Sequence, residues 1–110
     1  MKKEEIMKAY RILSHPVCFK TATLLMKLKK TIAFIEILQC LEKEEGIKFN
    51  PGLIWRFLEK LAKVRVVKIT RKLDPKQKRR KRKTTFFEIT KEGASIVLSM
   101  TKAIEKLTAK

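Results

Sequence analysis

The segment Leu61-Ala62-Lys63-Val64-Arg65-Val66-Val67 changes its periodicity within a few residues. Before it, Asn50 stands at a helix-capping position and Pro51 suits the first helical residue. Ile54, Phe57, Leu58 and Leu61 then recur on one helical face. After it, Val67, Ile69 and Arg71 alternate with Lys68, Thr70 and Lys72, and β-branched residues dominate. A helix over 51–63 therefore passes straight into a strand. A change of direction that abrupt ordinarily uses a left-handed residue just past the helix end, most often glycine. Here the position falls on Arg65, which predicts a positive φ there, at a cost of about 1–2 kcal/mol.

The remaining elements arrange themselves around this junction. Ile6, Tyr10 and Leu13 form a stripe that predicts a helix over 4–14. His15-Pro16 breaks it, because the residue before proline avoids the helical region, and Pro16 opens a second helix running to about 28. Phe19, Ala22, Leu25 and Met26 face inward on it. His15 is read as a junction residue rather than a ligand or a base. Thr31 or Ala33 opens a third helix with Phe34, Ile37, Leu38 and Leu41 on one face, and Gly46 ends it. Asp74-Pro75 marks a turn, and 84–90 is a second strand with Phe87 and Ile89 inside. Thr90 caps a last helix over 91–108, striped by Ile96, Val97, Met100, Ile104 and Leu107. The order is four helices, two strands and a helix, an α+β class that is mostly helical. At 110 residues the chain makes one domain over 1–110, long enough to bury a modest core.

Charge narrows the function. Lys and Arg total 28 against 11 Asp and Glu, a formal +17. From Arg71 to Lys83 there are nine basic residues and one acid, including the run KQKRRKRK. Like charges held together destabilise a fold through self-repulsion, and a polyanion offsets that. Nucleic acid is the first candidate. The longest apolar runs are about four residues, far short of the ~20 a membrane helix needs. The start MKKEEIMKAY lacks the apolar stretch of a signal peptide. There is one His, no Gly-rich phosphate loop, no nucleophile motif and no clustered carboxylates, so an enzyme is not expected. One Asn and two Gln against this many Lys and Glu is a hyperthermophile tendency. Cys18 and Cys40 make neither a zinc spacing nor a redox pair, so no metal or other cofactor is expected. They are read as two lone thiols, with a disulfide between them as the other reading, favoured in a hyperthermophile.

The segments HPVCFKTATLL, NPGLIWRFLEKLAKVRVVKI and FFEITKEG, in this order and spacing, resemble winged helix-turn-helix transcriptional regulators. The likeness is to the ArsR-like and MarR-like kind, especially small archaeal and archaeal-virus members, and covers about 15–99. It implies that the helix over 51–63 lies in the DNA major groove. The hairpin over 66–90 would be the wing, and the chain-end helices would make a homodimer. The metal-sensing members carry a close cysteine pair that this chain lacks. Cys18 stands where the family often has arginine, and Arg65 where it usually has glycine.

With the core side of the recognition helix inward, Leu53, Arg56, Lys60 and Lys63 face outward and Trp55 lies at the flank. Arg56 is the candidate guanine reader, because its fork bonds O6 and N7 together. Trp55 either packs on a base or sugar, or is half-buried against a neighbour. Lys48 and Asn50 stand at the helix start, where phosphates are favoured. In the wing, Arg71, Lys76, Lys78, Arg79, Arg80, Lys81, Arg82 and Lys83 are expected on the backbone or in the minor groove. Ile6, Tyr10, Leu13, Met100, Ile104 and Leu107 are expected at the dimer interface. The expected partners are double-stranded DNA and a second copy of the chain, with no membrane and no evident small-molecule effector. The expected location is the cytoplasm, the host's if viral, in association with the nucleoid. Two other readings stay open: an architectural, chromatin-like protein with little sequence preference, and a winged helix that binds RNA or protein.

Overall fold

The computed structural model describes residues 1–73 and 83–108. The elements are α1 (Lys3–Leu13), α2 (Pro16–Leu28), β1 (Ile32–Ala33), α3 (Phe34–Glu45), α4 (Pro51–Lys63), β2 (Val67–Leu73), β3 (Lys83–Ile89) and α5 (Lys91–Thr108). The strands form an antiparallel sheet in the order β1-β3-β2. Helices with a small sheet at one side make the α+β winged-helix class that the sequence predicts.

Local chemistry sets the helix ends. His15 caps α2, with its Nδ1 accepting from the Val17 N–H at 3.2 Å, and its ring packs on Phe57 at 4.6 Å between centroids. Gly46 closes α3 at φ 70, donating to the Glu42 carbonyl at 2.8 Å. The Asn50 side chain accepts from the Gly52 and Leu53 N–H groups at the start of α4. Lys29 closes α2 in the left-handed region at φ 53, an ending that no feature of the sequence announces.

Arg65 has φ 61, as the junction predicts. Its N–H donates to the Ala62 carbonyl at 3.1 Å, and the Val66 N–H to the Leu61 carbonyl at 2.9 Å. These are the two bonds of a Schellman ending, and its usual apolar contact pairs fully buried Leu61 with fully buried Val66. Thr90 fastens the other side of this junction. Its N–H donates to the Val66 carbonyl at 2.9 Å and its hydroxyl lies against the Arg65 and Val66 carbonyls. The same hydroxyl accepts from the Gly93 N–H at 2.9 Å, capping α5 as expected.

The third helix starts at the later of the two expected openings, with Ala33 as its N-cap and Phe34 as its first residue. Ile32 and Ala33 are both buried and pair with Phe87 and Phe86 of β3, so they belong to the sheet. Thr31 adds a hydrogen bond from its hydroxyl to Glu88 at 2.8 Å. β3 ends at Ile89, which leaves Thr90 free to cap.

Leu13, Leu25, Ile37, Leu41, Ile54, Leu58, Leu61, Val66, Phe87 and Val97 form the centre of the core. Two expectations are corrected here. Leu13, assigned to a dimer interface, is 1% exposed and packs within its own chain. Leu13 follows buried Ala9 by one turn, on the side of α1 that faces the core. Cys18 and Cys40 are both free, so the disulfide reading does not hold. Cys18 is buried in the core, and burial pushes its thiol up to about 12, against a smaller downward pull from the Lys60 ammonium.

Candidate nucleic-acid interface

Helix α4 buries Ile54, Phe57, Leu58 and Leu61. At about 100° per residue, Gly52, Arg56, Glu59 and Lys63 fall on the opposite side, and all of them are exposed. Lys60 sits on the flank toward α1 and is also exposed. Among the described residues, Arg56, Lys60 and Lys63 enter no ion pair. Arg56 leans back along its own helix, its Nε donating to the Gly52 carbonyl at 3.4 Å. The exposed surface of α4 therefore carries three cations that enter no ion pair among the described residues.

The flank of α4 nearest the sheet is apolar. Trp55 is half-buried, edge-on to Phe34 at 5.0 Å and to Phe87 at 5.5 Å. Of its two readings, packing against neighbours is the one observed. It lies where α4 meets α3 and β3, away from the centre of the exposed side. Leu53, placed outward by its position in the sequence, is instead half-buried against the core. Lys48 is exposed. The Asn50 Oδ1 is committed to the two N–H groups it caps, at 2.9 and 3.4 Å.

Lys60 and Lys63 share a cleft of about 390 Å³ with Glu5, Lys8, Arg11 and Ile12 of α1 and with Val64. Lys8 and Arg11 are not among the residues the sequence singles out, because α1 is recognised there by its apolar stripe alone. Their signal lies in their spacing, which sets them together on the polar side of that helix.

In the hairpin, Arg71 is exposed and opposite Thr85, and Lys83 is opposite Leu73. Lys72 lies over the Phe86 ring, 4.9 Å from its centroid. Lys76, Lys78, Arg79, Arg80, Lys81 and Arg82 lie outside the described residues. At the chain ends, Ile6 and Met100 are half-buried, while Tyr10, Ile104 and Leu107 are exposed. Met7 and Leu98 add further exposed apolar surface. Among the described residues, no group of His, Cys, Asp and Glu is placed to hold a metal, and no helix is long and apolar enough to cross a membrane.

No family model matches this chain, and no curated protein matches it. Solved structures do. A transcriptional regulator homologue from Pyrococcus horikoshii is similar at 28% identity and TM-score 0.65, covering 96% of this chain and 95% of that one. A PadR-like transcriptional regulator from Bacillus cereus is similar at 14% identity and TM-score 0.70, covering 90% of each chain. Bacillus subtilis PadR, solved in complex with operator DNA, is similar at 15% identity and TM-score 0.65, covering 79% of this chain and 47% of that one. The likeness is in the winged-helix fold. Two of these three carry the PadR name, and none carries the ArsR or MarR name that the sequence segments suggest.

Proposed function

We propose that this chain is a DNA-binding transcription regulator that acts as a homodimer. Helix α4 enters the major groove, and the basic hairpin follows the backbone or the minor groove. The observation that carries this reading is the outward side of α4. Arg56, Lys60 and Lys63 are exposed and free of ion pairs among the described residues, on the helix that leads directly into a hairpin whose 71–83 segment is +8. The fold neighbours support it, since they are transcriptional regulators and one is bound to operator DNA. Arg56 is the guanine reader; Lys60 and Lys63, with Lys8 and Arg11 across the cleft, are backbone contacts. Lys48, exposed just before α4, adds a phosphate contact through its own charge, since the first N–H groups of the helix are taken by the Asn50 cap.

The formal charge of +17 favours a second reading, an architectural protein with little sequence preference. The two separate in one measurement. Affinity for a site selected from random duplexes is compared with affinity for random duplex at fixed salt. A regulator gives a ratio of about 10³ or more. A ratio near one gives the architectural reading instead.

A further inference from the structure

Glu59 lies at the middle of the outward side of α4, exposed, between Arg56 and Lys63. Its surroundings set it apart from most acids of the chain. Glu5 pairs with Arg65, and Glu44 and Glu45 tie α3 to Lys27 and Lys20 of α2. Glu88 accepts from Thr31. Glu4, Glu36 and Glu92 stand in the first turns of α1, α3 and α5, where the helix dipole favours a negative charge. Glu59 has neither kind of support. It is not in a first turn, and no cation among the described residues lies within ion-pair distance of it. Glu42 and Glu105 share that position, but they lie on α3 and α5.

A carboxylate facing phosphates weakens binding by repulsion. It is compatible with a DNA-facing helix when it points between the two backbones, at the base edges. There a carboxylate has a specific partner, the exocyclic N4 amino group of cytosine. Resting on the placement of α4 proposed above, we infer that Glu59 reads a cytosine in the major groove. Arg56 stands three residues before it, a rise of about 4.5 Å along the helix. Successive base pairs are about 3.4 Å apart. The two side chains therefore address neighbouring base pairs, one as donor and one as acceptor. Specificity follows from the acid, because a site without the cytosine leaves the carboxylate unpaired beside phosphates.

The purely structural account of Glu59 is a surface pairing with Lys63 one turn on, and base preference separates the two. Bound sites are selected from a random duplex pool with the intact chain, with Glu59→Gln and with Glu59→Ala. The wild type is expected to enrich cytosine at one position of each half-site. Glu59→Gln should move that position to adenine, since a carboxamide bonds N6 and N7. Glu59→Ala should lose the preference, with discrimination falling on the order of 10-fold. Both variants should bind random duplex more tightly at low salt. The same base preferences in all three proteins would overturn the assignment while leaving α4 in the groove. A wild type that enriches no sequence at all would overturn base reading by α4 itself, and Glu59 with it.

Discussion

Gly93 lies so close to the end of α4 that a Cβ built on it would be 2.2 Å from the Val66 carbonyl oxygen. That oxygen cannot retreat, because it accepts the Thr90 N–H and the Thr90 hydroxyl. Gly93→Ala should therefore destabilise by at least about 2 kcal/mol, at the upper part of the overpacking range, read as a fall in the urea midpoint. Arg65 gives the opposite result. Its left-handed φ costs about 1–2 kcal/mol. Its pairing with Glu5 is 3.6 Å long with the Arg65 side chain 70% exposed, so removing it costs little. Arg65→Gly should gain up to about 1 kcal/mol, less than the steric cost because glycine loosens the unfolded chain. An unchanged or lower midpoint would count against this balance. Cys18 adds a pH dependence. Its folded thiol is raised from about 9 to about 12, so its contribution is full below pH 9 and falls as pH climbs toward 12. Urea midpoints taken from pH 8 to 11 should fall less steeply in Cys18→Ala than in the wild type. Arg65 was legible in the sequence because a helix met a strand without a linker. Lys29 was not, since nothing in its side chain marks a left-handed residue, and Gly93 was not, since its reason lies in an oxygen 27 positions away.

At the scale of elements, the helices and the hairpin were legible from periodicity, because each buries one face. β1 was not. It is two residues long, too short to alternate, and exists because β3 has an edge for Ile32 and Ala33 to pair with. The outward face of α4 was legible as a set of cations. Its boundary was not, because Trp55 is drawn to Phe34 and Phe87 and Leu53 to the core, neighbours that a helical projection omits. The element scale also separates two ways of holding DNA. Neutralising Lys78, Arg79, Arg80, Lys81, Arg82 and Lys83 should weaken binding to every sequence alike. The log–log salt slope should flatten by about 0.9 for each phosphate that is no longer neutralised. Arg56→Ala should instead relax preference at one base position by about 1–3 kcal/mol. Equal weakening of all sequences by Arg56→Ala would make Arg56 a backbone contact.

At the scale of the whole molecule, the distribution of apolar surface is uneven. The buried residues of α5 are Gly93, Ile96 and Val97, all in its first half. Past them, Met100 is half-buried and Ile104 and Leu107 are 47% and 73% exposed. Among the described residues, the last turns of α5 therefore bury no side chain against the rest of the chain. Isolated helical segments this short are marginal in water. Exposed Met7 and Tyr10 on α1 present a second apolar surface at the other chain end. Packing these stripes against a second copy across a two-fold axis would cover both and stabilise the end of α5. The burial of Leu13 in the core narrows this surface without removing it. Deletion of residues 102–110 should then convert a dimer to monomers in sedimentation, with little change in the fold of residues 15–99. Affinity for a two-half-site duplex should fall steeply, because the second half-site no longer binds at a linked effective concentration. Affinity for a single half-site should change little. The half-sites should lie about one helical turn apart, so inserting about five base pairs between them should mimic the deletion in the intact chain. A truncated chain that sediments as a dimer would place the interface on α1 or elsewhere, and spacing-independent binding by the intact chain would remove the dimer from the mechanism.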